Sequence, residues 1–386
     1  MLDTAYDVAV IGAGVFGAWT AWHLRRAGRS VLLVDAWGPG HGRASSGGES
    51  RAIRMGYGAD EIYTRMSMRS LELWKELFRQ AGQPLFHQSG VLWIARQGDR
   101  YSDATQRTLK AAGVATEIVA GAEMARRWPQ MRLADAKVYG VFEPGSGALM
   151  ARRAVACVAS DAIARGVGYE VAGVLAPAGS GRQAVVRANG GDSIRAGIFV
   201  FACGPWLPKM FPALLGSRIY PTRQEIFFFA TPPGDRSFAP PAFPVWLDFS
   251  DPRGPYGFPD LESRGFKVGF DRHGAAFDPD TGDRRVTAEG IEEIRRFLEE
   301  RFPALRAAPL VESRVCQYEN TSSGDFLIDR HPDFDNVWLA GGGSGHGFKH
   351  GPAVGEYLSM RILDGGAVDA RFSLASKGEA QARAVW

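Results

Sequence analysis

The sequence has few cysteines, no long hydrophobic run and no cluster of like charges, and each absence excludes a class of protein. Its three cysteines, Cys157, Cys203 and Cys316, form no Cys-x-x-Cys pair, and its seven histidines lack the spacing of metal ligands. The pattern therefore excludes a disulfide scaffold and a zinc site, and we expect no metal. No segment approaches the roughly 18 uninterrupted apolar residues of a membrane-spanning helix, so we expect no membrane contact.

Charge and length indicate a globular protein of two domains without a nucleic-acid footprint. Lys and Arg are spread along the chain and the net charge is only +3, a pattern that favours neither nucleic acid nor an anionic membrane as partner. With 386 residues the chain is too long for one hydrophobic core, so we expect two domains. The apolar stretch 8–18 has no basic residue before it, the first being Arg25, so we expect no signal peptide and a cytoplasmic protein.

A glycine-rich turn joins a predicted strand to a predicted helix near the start of the chain. The predicted strand, helix and second strand are Tyr6–Ile11, 15–27 and 31–34. Gly12 permits a tight turn, Gly14 lets backbone approach a pyrophosphate, and Gly17 lets the helix pack closely on the strands. The N-terminus of the helix favours phosphate, and Asp35 follows where a ribose hydroxyl needs an acceptor. The pattern predicts a bound adenine dinucleotide.

The residues after Asp35 distinguish two cofactors that share this turn. They run AWGPGHGRASSGGESRAIR, a long stretch rich in Gly and Ser. A nicotinamide dehydrogenase would normally resume its alternation of strand and helix here, whereas a polar loop of small residues suits a larger, enclosed cofactor. We therefore predict FAD. A nicotinamide dehydrogenase remains an alternative that accounts only for the first forty residues.

The rest of the chain has two kinds of pattern. Further helices are expected at 59–80, 148–165, 288–302 and 352–363, with a polar helical stretch up to about 130; further strands are expected at 90–95, 168–174, 183–187, 198–203, 225–230, 245–249, 256–258, 265–270 and 337–340. We predict an α/β protein, α+β overall, with a Rossmann-like FAD-binding domain and an inserted antiparallel-sheet substrate domain. The predicted boundaries are 1–85, 145–220 and 320–386 for the first domain, and 86–144 and 221–319 for the second.

Several motifs along the chain resemble one family. They are the N-terminal glycine turn, ESRAIRMGYG, YGFP from Tyr256, GFKVG from Gly265, CQY from Cys316, and GSGHGFK from Gly343 to Lys349. The sequence from about residue 6 to 365 resembles the D-amino-acid-oxidase superfamily, in its sarcosine oxidase and N-methyltryptophan oxidase branch. The resemblance implies that a hydride equivalent passes from a secondary amine to FAD, that O₂ then becomes H₂O₂, and that the imine is hydrolysed.

The resemblance implies a role for Cys316 and Lys267. Cys316 is a candidate for a covalent bond from sulfur to the flavin, whereas its residue type alone indicates a small buried hydrophobe. Lys267 points away from the apolar face of its strand, which by itself indicates a solvent-facing lysine. By resemblance Lys267 lies over the flavin, where a buried cation stabilises superoxide as O₂ takes its first electron.

The resemblance assigns three further cations to the flavin and the substrate. Arg51 is placed near the flavin ring, and Arg54 and Lys349 on the substrate carboxylate. Without the resemblance, Arg51 and Arg54 indicate only a solvated pair that answers Glu49, and the loop before Lys349 only a turn. Pro352 suits the start of the next helix, which would direct its positive end at the loop contents.

The remaining candidates complete the predicted site. Tyr256 is assigned to the substrate pocket, with a domain-interface aromatic as the alternative, and His346 is interpreted as a residue that orders its loop. Asp271 and Ser46-Gly47 stand where the family carries histidines, so we expect a substrate other than sarcosine, and a second amine would suit Asp271. The predicted cofactor-binding residues are Gly12, Gly14, Gly17, Asp35, Ser45, Arg51, Val174, Cys316, Gly343, Gly345, Gly347 and Lys349.

The predicted function is oxidation of a small secondary-amine amino acid, N-methylated or cyclic, with O₂ as acceptor. We expect Lys267 and Arg51 to act in catalysis, Arg54, Lys349, Tyr256 and Asp271 to contact the substrate, and the protein to be a monomer or homodimer. Two alternatives share the FAD features: a flavin dehydrogenase that passes electrons to another acceptor, and a non-catalytic flavin subunit of a larger complex.

Overall fold

The computed structural model describes residues 5–133 and 137–379, so the outermost residues of the predicted FAD-binding domain, 1–4 and 380–386, lie outside the described residues. The strands are β1 (Tyr6–Ile11), β2 (Val31–Asp35), β3 (Ser50–Ile53), β4 (Phe86–His87), β5 (Val91–Arg96), β6 (Glu117–Ala120), β7 (Val138–Glu143), β8 (Gly147–Met150), β9 (Gly168–Val171), β10 (Val185–Arg187), β11 (Ser193–Phe201), β12 (Ile219–Phe229), β13 (Val245–Asp248), β14 (Pro255–Phe258), β15 (Phe266–Phe270), β16 (Leu310–Thr321), β17 (Leu327–Arg330) and β18 (Val337–Gly341). The helices are α1 (Val15–Arg26), α2 (Glu61–Ala81), α3 (Arg100–Ala111), α4 (Gly121–Arg127), α5 (Ala151–Ala164), α6 (Leu207–Met210), α7 (Pro212–Leu215), α8 (Ala288–Arg301) and α9 (Gly351–Asp364).

A seven-stranded sheet carries the glycine-rich turn. Its order is β17-β18-β11-β1-β2-β9, with β10 paired to β11. The strands from β18 to β9 are parallel, and β1, β2, β11 and β18 consist largely of buried apolar residues because helices cover the sheet. Since β1 and β18 run in the same direction, the loops that follow them meet at one edge of the sheet, where α/β proteins bind ligands.

An eight-stranded sheet forms the second part of the molecule. Its order is β16-β12-β15-β14-β13-β5-β7-β6, and every neighbouring pair is antiparallel except β13 and β5. The long pair β12 and β16 remains in register from Ile219 with Thr321 almost to the far end of β12. A separate core of phenylalanine and tryptophan side chains, among them Trp246, Phe266 and Phe302, fills the space between this sheet and α8.

Strands β3, β8 and β4 form a three-stranded sheet. The secondary structure predicted for these and neighbouring residues was wrong in several places. The helix predicted from residue 148 begins at Ala151, because Gly147–Met150 pairs with β3 as a strand. β3 itself lies in the stretch predicted as a loop. The polar stretch predicted as helical up to 130 contains the strand Glu117–Ala120, paired with an unpredicted strand at Val138–Glu143. The predicted fold class, a mixed α/β protein with a Rossmann-like sheet and an antiparallel sheet, is confirmed.

Candidate cofactor and substrate site

The turn after β1 leaves room for only one of its three glycines to take a side chain. Gly12 has φ +103°, and a Cβ there would lie 2.4 Å from the Ala202 carbonyl oxygen. A Cβ at Gly17 would lie 1.8 Å from the carbonyl oxygen of Gly12. At Gly14 the nearest atom, Ser46 Oγ, would be 3.7 Å away. Gly12 and Gly17 are therefore required by the fold, and the space beside Gly14 is left for a ligand.

Asp35 joins the turn to the loop that follows β2. One carboxylate oxygen accepts a hydrogen bond from the Ala13 N–H at 2.7 Å, and the other accepts from the N–H groups of Trp37 and Gly38 at 2.9 and 2.8 Å. The carboxylate also lines the cavity that opens beside the turn. Its charge is thus satisfied by backbone while it faces the predicted ribose position.

A cavity of about 350 Å³ lies where the loops after β1, β2 and β18 meet strand β16. Most of the predicted cofactor residues line it: Gly12, Gly14, Asp35, Ser45, Arg51, Val174, Cys316, Gly343, Gly345 and Gly347. Two do not appear on its wall. Gly17 lies behind the turn, where the close packing of α1 requires it, and Lys349 lies beyond the loop, against Tyr57.

The cavity wall carries polar atoms that suit a dinucleotide. Ser45 Oγ, Gln317 Oε1 and Glu319 Oε2 are buried and, within the described ranges 5–133 and 137–379, have no hydrogen-bond partner. All three residues line the cavity. Because buried polar atoms are normally paired, they indicate a polar ligand at this place. Together with the open space at Gly14 and the positive helix end, this donor and acceptor set fits FAD.

Glu319 lines the cavity and was not singled out in the sequence. It lies one residue after Tyr318, and the N–H groups of Gly342 and Gly343 face its carboxylate. Burial raises its pKa from the ordinary 4.5 to about 7, against the lowering effect of those backbone N–H groups. A glutamate in a polar, alternating strand gave no signal that it would be buried beside a cofactor.

Arg51 and Cys316 meet on the cavity wall. Arg51 donates hydrogen bonds to the carbonyl oxygens of Ser50 and Ser45 at 2.8 and 2.6 Å. Its Nη2 also lies 3.2 Å from Cys316 Sγ. Residues from β3 and β16 thus place a guanidinium and a thiol side by side on the cavity wall.

Lys267 is buried, with 2% of its surface exposed. Its Nζ donates to the Ser50 carbonyl oxygen at 2.9 Å and to Ser50 Oγ at 3.2 Å, and lies 4.1 Å from the centre of the Phe258 ring. Burial, and then the charge of Arg51, lower its pKa well below the ordinary 10.5. The alternative of a solvent-facing lysine is wrong, because β3 and Phe258 cover the side of β15 from which Lys267 projects.

Arg54 and Lys349 converge on one aromatic side chain. The Arg54 guanidinium lies 4.3 Å from the centre of the Tyr57 ring and 4.5 Å from that of Trp93. Lys349 Nζ donates to the Tyr57 hydroxyl at 2.7 Å and to the His346 carbonyl oxygen at 2.9 Å. Two cations from distant parts of the sequence therefore lie around one tyrosine.

Glu49 has other partners than those that the sequence suggested. It pairs with Arg152 and Arg264 at 3.3 Å and with Arg314 at 3.4 Å. Arg51 and Arg54 point instead toward the cavity wall and the aromatic pair. The interpretation of these two arginines as a solvated pair answering Glu49 does not describe their contacts.

Tyr256, Tyr318 and Asp271 lie together beside Cys316. The Tyr318 hydroxyl donates to Asp271 Oδ1 at 2.9 Å. Burial first, and then the charge of Asp271, raise the pKa of both tyrosines above the ordinary 10, so both stay protonated. A Cβ at Gly345 would lie 2.7 Å from the Tyr318 ring, so this group of residues packs directly against the loop that leads to Lys349.

Glu143 supports the Arg54 segment and was also missed. It is fully buried, and its carboxylate accepts hydrogen bonds from four groups: the N–H of Met55 (2.7 Å), the N–H of Gly56 (3.0 Å), Trp93 Nε1 (2.7 Å) and Ser146 Oγ (2.6 Å). One carboxylate thus holds the turn after Arg54 and one of the two rings on which Arg54 packs. Glu143 ends a strand that the sequence analysis did not predict, so nothing in the sequence indicated that its carboxylate would be buried.

Comparison with known proteins decides the family. The model of the family described as FAD dependent oxidoreductase matches residues 7–361. The chain belongs to this family. It is 33% identical to a monomeric sarcosine oxidase of Bacillus sp. (strain B-0618) over 94% of each chain, and 30% identical to the human peroxisomal sarcosine oxidase over 92% of this chain and 93% of the relative. It is 28% identical to an N-methyl-L-tryptophan oxidase of Yersinia pestis (strain Pestoides F) over 93% of this chain and 95% of the relative.

Solved structures give the same fold. An iminodiacetate oxidase from Chelativorans sp. BNC1 superposes with a TM-score of 0.78 at 25% identity, over 95% of this chain and 98% of the other. An L-proline dehydrogenase from P.horikoshii superposes with a TM-score of 0.81 at 22% identity, over 95% and 96%. The predicted family branch and FAD as cofactor of this oxidoreductase are confirmed.

The described helices and acidic, histidine and cysteine side chains bear on membranes and metals. Among the described helices, none combines the length and the apolar character needed to cross a bilayer. The part of the chain that the structure describes also contains no group of three or more His, Cys, Asp or Glu side chains placed to hold a metal ion.

Proposed function

We propose that this FAD-dependent oxidoreductase oxidises the C–N bond of a small secondary-amine amino acid, N-methylated or cyclic, to an imine. O₂ is the electron acceptor and H₂O₂ the second product. The observation that carries this proposal is the convergence of Arg54 and Lys349 on Tyr57, close to a cavity that suits a dinucleotide. Buried Lys349 and half-buried Arg54 place two cations at one small site, where a carboxylate would balance their charge.

FAD held by the residues of the cavity wall would supply the acceptor for the hydride equivalent of the substrate. The Arg54 guanidinium presents a fork of N–H donors that matches a carboxylate, and Lys349 adds a second positive charge to the same anion. Both cations also lower the pKa of the substrate amine, since a nearby positive charge disfavours an ammonium. The amine therefore binds neutral, with its lone pair available, and no side chain has to act as an essential base.

Lys267 is the residue that we assign to the reaction with O₂. Lys267 Nζ and Arg51 Nη1 both donate to the carbonyl oxygen of Ser50, so the two side chains lie close together. We propose that their positive charges lie where O₂ gains negative charge. Fixed charges in a water-poor site stabilise such a change without reorganisation. For the same reason we assign Arg51 to catalysis beside Lys267.

Cys316 is the proposed point of covalent attachment to the flavin. It lies on the cavity wall, with its sulfur 3.2 Å from Arg51. The other proposed FAD contacts are the predicted residues on the cavity wall, together with Glu319 and Gln317. A covalent bond would hold yellow colour on the denatured protein, and loss of that colour in Cys316→Ala tests it directly.

We propose Tyr256 and Asp271 as contacts to the rest of the substrate. Asp271 places a carboxylate beside Tyr318 and Tyr256, near the loop that holds Lys349. A negative group on that side favours a substrate with a second cationic group over sarcosine, the substrate named for several relatives.

The proposed domains follow the predicted boundaries, with the antiparallel part at 86–144 and 221–319 covering the flavin side of the FAD-binding part. We also propose a monomer or homodimer, which size-exclusion chromatography with light scattering tests.

The function is tested by recording the flavin absorbance without oxygen while amines are added. The panel contains sarcosine, other N-methyl amino acids, L-pipecolate, L-proline, diamino acids and amines without a carboxylate. We expect bleaching only by secondary amines that carry a carboxylate, and recovery of the colour with H₂O₂ on admission of air. Bleaching without recovery in air would instead identify a flavin dehydrogenase. No bleaching by any carboxylate-bearing amine would overturn the proposal.

A further inference from the structure

Tyr57 lies between the two cations of the proposed substrate site, and the sequence pattern assigned it no role. Its ring faces the Arg54 guanidinium, and its hydroxyl oxygen accepts a hydrogen bond from Lys349 Nζ. Only 4% of its surface is exposed, so both contacts are shielded from water. The same side chain therefore touches both groups that are assigned to one carboxylate.

The hydroxyl of Tyr57 can satisfy three neighbours at once. Besides Lys349, it lies 2.7 Å from His350 Nε2 and 3.2 Å from His346 Nδ1. His346 Nε2 lies 3.0 Å from the Gly324 carbonyl oxygen, which only accepts, so in the neutral imidazole Nε2 carries the proton and Nδ1 is an acceptor. Tyr57 then donates to His346 and accepts from Lys349 and from His350. This arrangement uses the one proton and both lone pairs of the hydroxyl.

His350 contributes a hydrogen bond but no competing charge. It is fully buried, and burial, followed by the charge of neighbouring Lys349, lowers its pKa well below the ordinary 6.5. His350 Nδ1 has no hydrogen-bond partner among the described residues, so no acceptor holds a proton there, and the proton of the neutral imidazole lies on Nε2, which donates to Tyr57. The hydroxyl is thus held from three directions, and it presents a fixed oxygen to Lys349.

The rings of Tyr57 and Trp93 both contact the Arg54 guanidinium and restrain it. The guanidinium lies 4.3 and 4.5 Å from the two ring centres and also donates to the Gly56 carbonyl oxygen. Cation–π contacts of this kind strengthen when water is excluded. The orientation of the fork is therefore set before any ligand arrives.

We propose that Tyr57 is the positioning residue that holds Arg54 and Lys349 as one carboxylate-binding pair. The ring sets the plane of the guanidinium, and the hydroxyl sets the position of the ammonium. This inference rests on the proposed function, because it concerns the same substrate site. Pre-arranged groups bind more tightly because less freedom is lost on binding.

The test measures binding of an unreactive carboxylate to the flavin-loaded protein. Acetate is titrated against the flavin absorbance in the parent protein and in Tyr57→Phe, Tyr57→Leu and Arg54→Met, with acetamide as the uncharged probe. Tyr63→Phe is the matched control, because its ring centre lies 5.2 Å from that of Tyr57 but its hydroxyl bonds to Asp325. Acetate measures anion binding separately from turnover.

We expect Tyr57→Phe to raise the Kd of acetate about 10-fold, the size of one hydrogen bond to a charged group. Tyr57→Leu also removes the ring and should raise the Kd about 100-fold. Flavin content and the weak binding of acetamide should not change, and Tyr63→Phe should bind acetate like the parent. With substrate, the Tyr57 variants should show a raised KM and a smaller change in kcat, as expected for loss of uniform binding.

Two results would overturn the inference, and they can be told apart. Parent-like acetate binding in both Tyr57 variants, together with weakened binding in Arg54→Met, would refute the role of Tyr57 and leave the proposed function intact. Absence of acetate binding by the parent, or an unaltered Kd in Arg54→Met, would refute the carboxylate site itself and the role of Tyr57 with it.

Discussion

The glycine turn and the cationic end of the site are built in opposite ways. The turn is made by Gly12, Gly14, Gly17 and Asp35, and it uses backbone groups and empty space. The cationic end uses charged side chains from β3, β15 and the loop before α9, and 292 residues separate Tyr57 from Lys349. The first region depends on shape within one short segment. The second depends on the packing of several segments around buried charges.

This difference determines how each region should respond to change. The three glycines of the turn carry no charge, so a substitution at one of them acts through steric conflict and affects folding or cofactor binding. A buried cation can lose its proton, as the lowered pKa of Lys267 indicates, so its function should depend on pH. The predictions below test this contrast, beginning with the largest effect.

The largest effect is expected in the turn. Gly17→Ala would place a Cβ 1.8 Å from the Gly12 carbonyl oxygen, a conflict with backbone that no rotamer relieves. We expect a loss of more than about 4 kcal/mol in the free energy of unfolding and little folded protein. Gly14→Ala is the matched variant, because its Cβ would meet nothing nearer than 3.7 Å.

Circular dichroism and flavin content distinguish these two variants. Gly14→Ala should fold like the parent and bind less FAD, since its Cβ occupies space left for the ligand. A Gly17→Ala protein with the parent's Tm and flavin content would show that the close approach at this position is not required.

Lys267→Met should slow reoxidation of the reduced flavin by O₂ about 10²- to 10³-fold, with a smaller effect on anaerobic reduction by substrate. The charged form of Lys267 is lost as pH rises through its lowered pKa. Reoxidation by the parent should therefore slow at a pH below the ordinary lysine pKa of 10.5, and the variant should lack this step. Stopped-flow spectroscopy across pH measures both.

Lys110→Met, on the exposed surface of α3, serves as the control and should behave as the parent. Rapid reoxidation of Lys267→Met at every pH would contradict the assignment of Lys267 to the reaction with O₂.

Arg54→Met should raise the KM for the amino acid substrate about 100-fold and leave the flavin content unchanged. The magnitude is that of removing one partner from a buried, hydrogen-bonded charge pair. Steady-state kinetics and the flavin-to-protein absorbance ratio measure it. Arg65→Met, at an exposed pair with Glu61, is the control. A variant that binds substrate as tightly as the parent would remove Arg54 from the site.

A further effect concerns Glu319, a buried carboxyl on the cavity wall. Its pKa is raised to about 7 in the folded protein, from the ordinary 4.5. The stability linked to its protonated form is full below about pH 4.5 and is lost as pH rises through about 7. Glu319→Gln does not titrate, so it should gain about 3 kcal/mol relative to the parent as pH rises across this range.

Urea unfolding of both proteins at a series of pH values measures this difference, and subtraction removes the contributions of other groups. A difference that stays constant from pH 4.5 to 8 would mean that Glu319 is ionised throughout.

The regions also differ in how far the sequence predicted them. The turn was predicted well: the helix expected at 15–27 is Val15–Arg26, and the steric role of Gly17 follows from its spacing. The helix predicted at 148–165 was wrong at its start, because a short apolar run has no period that separates strand from helix. Only its pairing with β3 decides that Gly147–Met150 is a strand.

Burial of charged residues was the least predictable feature. Lys267 was expected to point away from the apolar face of its strand, but the pattern of one strand cannot reveal that Ser50 and Phe258 cover the face on which Lys267 lies. Glu143 and Glu319 were missed for the same reason. Each is a single carboxylate whose partners come from other segments.

The sequence alone determined the dinucleotide turn, the family and the identity of the cations, because these depend on residue type and on short spacings. The tertiary structure decided which cations meet, which of them are shielded from water, and that Tyr57 joins Arg54 to Lys349. Burial and pairing are properties of several segments at once. The protonation states and binding strengths that follow from them are therefore set only when the chain has folded.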